Sequence, residues 1–220
     1  MIAFILVAVV LLVIFLRPRY KEPRVIKGVF TRDQCEKIIQ MASKRLEPSS
    51  VSWDMEVDRT IRKSETAWLS PHKSPLVRDV MQKCISMTDR PFRNSEHLQV
   101  LKYKPGGFYS VHHDAFEYEK NPRVFTAIIA LNDDYTGGGT GFPTLNRVYK
   151  LNQGDVLLFN TLNDWGLHTD KALHAGMPVK SGEKWICNLW IHRHAYSLKD
   201  DEEEAEEHIK RETGGSCSAL

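Results

Sequence analysis

The sequence predicts an α+β fold that is mainly β: a double-stranded β-helix, or jelly roll, with supporting N-terminal helices. Two observations carry this expectation. Apolar residues recur at helical spacing only in the first half of the 220-residue chain, and from Leu98 onward short strand-like runs alternate with turn residues. Helices first and seven or eight strands afterwards, with no internal repeat, suit a sheet structure backed on one side by helices.

Residues 1–16 carry no charged or polar side chain and are followed at once by Arg17, Arg19 and Lys21. Sixteen residues make a helix of about 24 Å, somewhat short of a hydrocarbon core of about 30 Å. The run has no basic segment before it and no small-residue cleavage site after it, so an uncleaved single-pass transmembrane anchor is expected rather than a signal peptide. Arg17, Arg19, Lys21, Arg24 and Lys27 all follow the run, which places the domain on the cytoplasmic side by the positive-inside bias, with the endoplasmic reticulum lumen as the alternative. Residues 17–25 read as a basic linker, and 26–199 as one domain divided into a helical support (26–95) and a β core (96–194).

Within the support, Thr31 three residues before Gln34 forms a capping-box pattern, and Cys35, Ile38, Ile39, Ala42 and Leu46 follow at helical spacing. Ser74 and Pro75 open a second helix with Leu76, Val80, Cys84 and Met87 along one face. The stretch 48–70 between them is irregular or extended. Strands are expected at 98–104, 108–114, 124–131, 147–151, 155–160, 172–178 and 184–192, separated by turn signals such as Gly137-Gly138-Gly139 and Ser181-Gly182.

Composition is globular, with 42% hydrophobic and 26% charged residues, which excludes wholesale disorder. The net charge of +2 conceals an acidic tail: residues 200–220 hold eight acids and two bases, so the remainder carries +8. That body has no dense basic stripe beyond the linker, so no nucleic-acid partner is expected. Four cysteines without a CxxC pair and the absence of an Asn-x-Ser/Thr sequon lean toward free thiols in a reducing compartment.

The chemistry lies in the strands. In Val111-His112-His113-Asp114 alternation puts His112 and Asp114 on one face and His113 on the other. His174, on a late strand, is the candidate third ligand. Two histidines and a carboxylate form the facial set that leaves open positions on Fe(II), with Zn(II) as the competing ion. Lys184 follows His174 by ten residues across an expected turn, so the two are expected on paired strands. Lys184, Ile186, Asn188 and Trp190 share one face of their strand. If that face lines the barrel, Lys184 is a buried cation with no acid beside it, and its partner is a ligand carboxylate.

These residues carry a family resemblance. Tyr103, Gly106, Tyr109, His112 and Asp114 match the Tyr-x-x-Gly-x-x-Tyr-x-x-His-x-Asp segment of prolyl 4-hydroxylases, and Gly138-Gly139-Thr140-Gly141-Phe142-Pro143 resembles their Gly-Gly-x-Thr-x-Phe-Pro loop. Leu173-His174-Ala175-Gly176, Gly182-Glu183-Lys184-Trp185 and Trp190-Ile191-His192 complete a pattern running from about residue 26 to 194. The resemblance implies an oxidoreductase, an Fe(II)- and 2-oxoglutarate-dependent dioxygenase of the procollagen-proline 4-dioxygenase type. It would hydroxylate peptidyl proline at C4 and release succinate and CO2, with O2 as co-substrate and L-ascorbate as reductant. It implies His112, Asp114 and His174 as metal ligands, and Lys184, Tyr103 and Thr126 as 2-oxoglutarate contacts. Arg62 (in an Arg-x-Ser…Leu segment) and Trp190 become the substrate-binding residues, with a proline-containing peptide or protein as partner.

Three departures touch loops: Gly107 and Gly139 stand where the family often has Gln and Glu, and residues 160–171 match no family pattern. Two other readings stay open at this level. The same oxygenase chemistry on a different side chain or small molecule fits the ligand set, and a non-catalytic metal-binding jelly-roll module fits the fold but not the clamp lysine.

Overall fold

The computed structural model describes residues 17–50, 57–116 and 119–196. Along the chain, β1 (Arg24–Ile26) leads into α1 (Arg32–Ser43), β2 (Glu47–Pro48), β3 (Glu65–Leu69) and α2 (Pro75–Ile85). Then come β4 (Leu98–Tyr103), β5 (Tyr109–His112), β6 (Arg123–Ala130), β7 (Thr136–Gly137), β8 (Thr140–Phe142) and β9 (Arg147–Tyr149). The chain continues through β10 (Val156–Asn160), β11 (His174–Gly176), β12 (Val179–Ser181) and β13 (Lys184–His192). The result is the predicted mainly β architecture with helical support.

Both helices start as their caps dictate. The Gln34 backbone N–H donates to Thr31 Oγ1 at 3.2 Å while the Thr31 N–H donates to Gln34 Oε1 at 3.0 Å, a closed capping box. Ser74 Oγ accepts from the Val77 N–H, and Pro75 occupies the first turn, where its missing N–H costs nothing. The buried stripe of α2 is Val77, Val80, Met81, Cys84 and Ile85, centred one residue beyond the expected row, and Leu76 is only partly covered.

A seven-stranded antiparallel sheet runs in the order β1-β10-β6-β13-β4-β3-β2, a four-stranded sheet in the order β5-β11-β8-β9, and β12 pairs with β7. One face of the large sheet takes the helices: Ile38 and Ala42 of α1 and Met81 of α2 share a core with Val100, Cys187 and Leu189. Its other face encloses a second core with Leu101, Ile128, Leu157, Phe142, Phe159 and Ile186. β13 feeds both, since Trp185, Cys187, Leu189 and Ile191 belong to the helical side and Ile186 to the enclosed side. The alternation read from the sequence therefore holds, and Lys184 lies on the enclosed face, 4% exposed.

Two boundaries differ from the sequence reading. The basic linker ends sooner, because Arg24 and Val25 already pair with Leu158 and Leu157 on the edge of β10, where unpaired backbone groups need partners. Tyr20 also donates to the Asn160 carbonyl at 2.8 Å. The stretch 48–70 contains β3, which pairs along its length with β4.

The expected single-pass membrane protein is corrected. Among the described residues no helix is long and apolar enough to cross a membrane; α1 and α2 have 12 and 11 residues and bury one face in the core. The membrane partner and the cytoplasm-facing or luminal placement fall with it. The apolar run 1–16 and the acidic tail 200–220 lie outside the described residues.

Candidate metal centre

β5 and β11 pair antiparallel, with His112 opposite His174, so their rings come within 4.3 Å. Asp114, two residues beyond His112, turns back between them: His112 Nε2 lies 3.6 Å from Oδ1 and His174 Nε2 lies 3.5 Å from Oδ2. The three donor atoms lie within 4.8 Å of one another, and no other such group occurs among the described residues. His112 Nδ1 faces the Ser110 carbonyl at 2.8 Å and His174 Nδ1 faces the Ala172 carbonyl at 3.1 Å. Carbonyls only accept, so both Nδ1 atoms carry the proton and both Nε2 lone pairs point at the shared point.

Burial pushes the His174 imidazolium down to about 4, against the pull of Asp114, so this ring is neutral and free to ligate at neutral pH. Burial alone would raise Asp114, but His174 and His112 beside it hold the carboxyl well below the usual range. Thr126 donates to Asp114 Oδ2 at 2.6 Å, and Arg123 Nη1 donates to the Asp114 carbonyl at 3.3 Å. An aromatic wall completes the pocket: Tyr109 stacks on His112 at 3.6 Å, and Phe142 and Phe159 lie 5.5 and 4.8 Å from His174. Two neutral imidazoles and one carboxylate, each oriented by a further bond, fit a divalent ion that keeps open positions.

Lys184 occupies the same interior from the other sheet. No carboxylate pairs with it among the described residues, and its Nζ lies 5.2 Å from the Tyr103 ring centroid. Burial pushes the ammonium down to about 8. Gly138, at φ +64°, lets the Gly-rich loop lie on this side chain; a Cβ there would meet Lys184 Cδ at 3.2 Å. An interior cation without an anion fits the far carboxylate of a dicarboxylate ligand.

The expected strand pairing of His174 with Lys184 does not occur. β11 lies between β5 and β8, whereas Lys184 pairs with Tyr103 on β4. β12 intervenes and pairs with β7 instead, so the two residues approach the interior from different sheets. Thr126, expected at the co-substrate, donates its hydroxyl proton to Asp114 Oδ2 and so orients that carboxylate. Tyr103 is 4% exposed, its hydroxyl beside Arg62 and Ser64, and burial raises it, so it stays a neutral phenol. Gly107 is explained by close approach, since a Cβ there would lie 2.8 Å from the carbonyl oxygens of Lys104 and Lys63. His113 points away and meets His168 edge-on at 5.3 Å.

Arg62 is 6% exposed, donates to Ser64 Oγ and the Ser50 carbonyl at 3.2 Å each, and lies 4.6 Å over the Tyr109 ring. Trp190 sits opposite Thr126 in register, 6.0 Å from Trp68, with the Arg123 guanidinium 3.9 Å over its ring. A buried network unseen in the sequence supports it. Glu96 pairs with Arg123 through both oxygens (2.5 and 3.0 Å) and with His192 Nε2 at 2.8 Å. Burial would raise Glu96, but His192 and Arg123 keep it below the usual carboxylate range.

Comparison with known proteins agrees with this geometry. The sequence model of the 2OG-Fe(II) oxygenase superfamily matches residues 98–192. The chain is 35% identical over 189 residues to the "Putative prolyl 4-hydroxylase" of Acanthamoeba polyphaga mimivirus, covering 81% of this chain and 77% of that protein. It is 30% identical over 214 residues to "Probable prolyl 4-hydroxylase 6" of Arabidopsis thaliana, covering 82% and 74%. Its fold is similar to the crystal structure of the viral collagen prolyl hydroxylase of Paramecium Bursaria Chlorella virus-1 in complex with 2OG. The TM-score is 0.65 at 30% identity, covering 78% of this chain and 96% of that one.

Proposed function

We propose, for a chain that belongs to the prolyl 4-hydroxylase family of 2-oxoglutarate- and Fe(II)-dependent dioxygenases, that it hydroxylates peptidyl proline at C4. In this reading His112, Asp114 and His174 hold the iron. Lys184, with the Tyr103 hydroxyl, holds the far carboxylate of 2-oxoglutarate. The observation that carries it is interior Lys184, without a carboxylate partner among the described residues, beside Tyr103 of the enclosed core whose Phe142 and Phe159 flank His174 of the cluster. A metal-binding module without a co-substrate has no use for a buried ammonium that destabilises the empty fold.

Iron held there would supply oxygen activation, one atom of O2 entering succinate as 2-oxoglutarate loses CO2 and two electrons, and the other entering the peptide C–H bond. The chain's own share is placement. The Ser110 and Ala172 carbonyls fix both imidazole tautomers, Thr126 fixes the Asp114 carboxylate, and Phe142 and Phe159 keep water from the His174 side. On the substrate side, Trp68 is 43% exposed beside buried Trp190, an aromatic edge suited to a proline ring. Arg62, over Tyr109, borders the same mouth. Ascorbate would serve as the reductant for iron held by these residues.

The test is succinate release with Fe(II) and 2-oxoglutarate against proline-rich peptides, lysine-containing peptides and oligonucleotides, with the peptides weighed by mass spectrometry. A gain of one oxygen atom at proline is expected. Stimulation only by the other substrates refutes the proline assignment.

A further inference from the structure

Beside the metal centre, β3 and β4 bring together cations that lie far apart in sequence. Glu65 pairs in register with Lys102, and a cleft of about 180 Å³ opens there, lined by Arg59, Arg62, Lys63, Lys102 and Lys104, with Glu65 as the one acid among the described lining residues. Two of these cations are already matched: Lys104 pairs with Glu65 at 3.0 Å and Lys102 with Glu183 at 2.8 Å. Arg59 and Lys63 have no carboxylate partner among the described residues. Arg62 Nη2 is buried without an acceptor in good hydrogen-bond geometry among the described residues, with only the Tyr103 hydroxyl nearby. A guanidinium nitrogen taken out of water without a partner is costly, which argues that something supplies an acceptor when the site works.

The position of the cleft says what supplies it. Arg62 Cζ lies 4.6 Å from the Tyr109 ring centroid, which lies 3.6 Å from the His112 ring centroid. At about 3.3 Å per residue, an extended peptide with its reacting residue at the metal reaches this guanidinium in two to three residues. We propose that the cleft is a subsite for a carboxylate side chain, Asp or Glu, two to three residues from the target residue of the peptide substrate, held by Arg62, Lys63 and Arg59. This rests on the peptide-hydroxylase reading and adds the charge preference of that same site. An acidic side chain brings two acceptor oxygens to donors that lack them, and the matched pairs Lys104–Glu65 and Lys102–Glu183 leave the surplus charge at the cleft positive.

The experiment uses the full-length protein and proline-rich peptides that carry Glu, Gln or Lys at each position up to three residues from the target. Turnover is read as KM, and binding to metal-free protein is read separately by fluorescence anisotropy. The Glu peptide is expected to bind about tenfold more tightly than the Gln peptide at one or two positions. The Lys peptide should be weaker than either, and the preference should shrink as salt is raised. Lys63→Glu, a substitution at an exposed residue, should abolish or reverse the order of the Glu and Lys peptides. Equal affinities for all three peptides while proline is hydroxylated overturn the subsite and leave the proline reading intact. Failure of every proline peptide to be hydroxylated, with the Glu preference still present in binding, overturns the proline reading and keeps the subsite. A Glu preference that Lys63→Glu leaves unchanged overturns the assignment to this cleft.

Discussion

Lys184→Met is the perturbation that most directly separates a co-substrate clamp from a structural lysine. The two side chains are similar in length and volume, so the enclosed core is kept and the charge is removed. In the parent, burial pushes the ammonium down to about 8. The preference for the neutral form that this represents is about 3 kcal/mol. Below about pH 8 the ligand-free fold carries that cost in full. As pH rises from 8 toward the ordinary lysine value, the unfolded chain binds more protons than the folded one, so the cost is lost and stability rises. The variant should therefore be more stable than the parent at pH 7, by up to about 3 kcal/mol, and the two should converge near pH 10. Binding has the opposite sign. A charge-assisted bond to the far carboxylate contributes about 1.5–3 kcal/mol, so the 2-oxoglutarate requirement should rise roughly ten- to a hundredfold. Urea unfolding of metal-free protein at pH 7 and 9.5, with 2-oxoglutarate titrations, reads both effects. A variant less stable than the parent at pH 7, or one with an unchanged 2-oxoglutarate requirement, refutes the reasoning.

Thr126→Val removes the one side-chain hydroxyl bonded to Asp114 Oδ2; metal affinity should fall about tenfold or more, as read by calorimetric Mn(II) titration under nitrogen. Glu96→Gln leaves Arg123 buried without its counter-charge, at an expected cost of about 3–5 kcal/mol in urea unfolding. Because Glu96 is held below the usual carboxylate range, its contribution is present above about pH 4.3 and fades as pH falls through the folded value, so the deficit of the variant should shrink in acid. Divalent metal should tighten 2-oxoglutarate binding, and 2-oxoglutarate should tighten metal binding by the same factor; independent affinities would contradict the shared site.

The parts of the fold legible in the sequence are those long enough to show a period. β4, β6, β10 and β13 run five to nine residues, and the alternation in β13 grouped Lys184 with Ile186, Asn188 and Trp190 on one face. β1, β2, β7, β8 and β12 have two or three residues, too few for alternation to register. That is why the spacing of His174 and Lys184 misled: ten residues look like one hairpin until β12 is seen to leave for β7. The metal ligands were legible because His112 and Asp114 are local and His174 sits in a motif. The Glu96–Arg123–His192 network was not, because its members come from three segments. Strand order places β6 against β13, and the Glu96 N–H reaches the Trp190 carbonyl at 3.0 Å.

In the proposed reading, the interior charges explain why one lysine matters. Two neutral imidazoles and the Asp114 carboxylate leave the ligand set with a single negative charge, and Lys184 contributes a single positive charge from the opposite sheet. Within the fold these are separate interior charges; Asp114 accepts a hydrogen bond from Thr126, whereas Lys184 has no carboxylate partner among the described residues. A divalent ion and a dicarboxylate bring equal and opposite charges, so the filled interior is neutral as a whole. Neither addition alone reaches that balance: the metal by itself leaves excess positive charge in a low-dielectric space, and the dicarboxylate by itself leaves excess negative charge. Each ligand is therefore stabilised by the other through the field of the same small interior. Thr126 and Lys184 are the side chains through which the fold would set those charges, the one by fixing the Asp114 carboxylate and the other by holding an ammonium in the interior beside the Tyr103 ring.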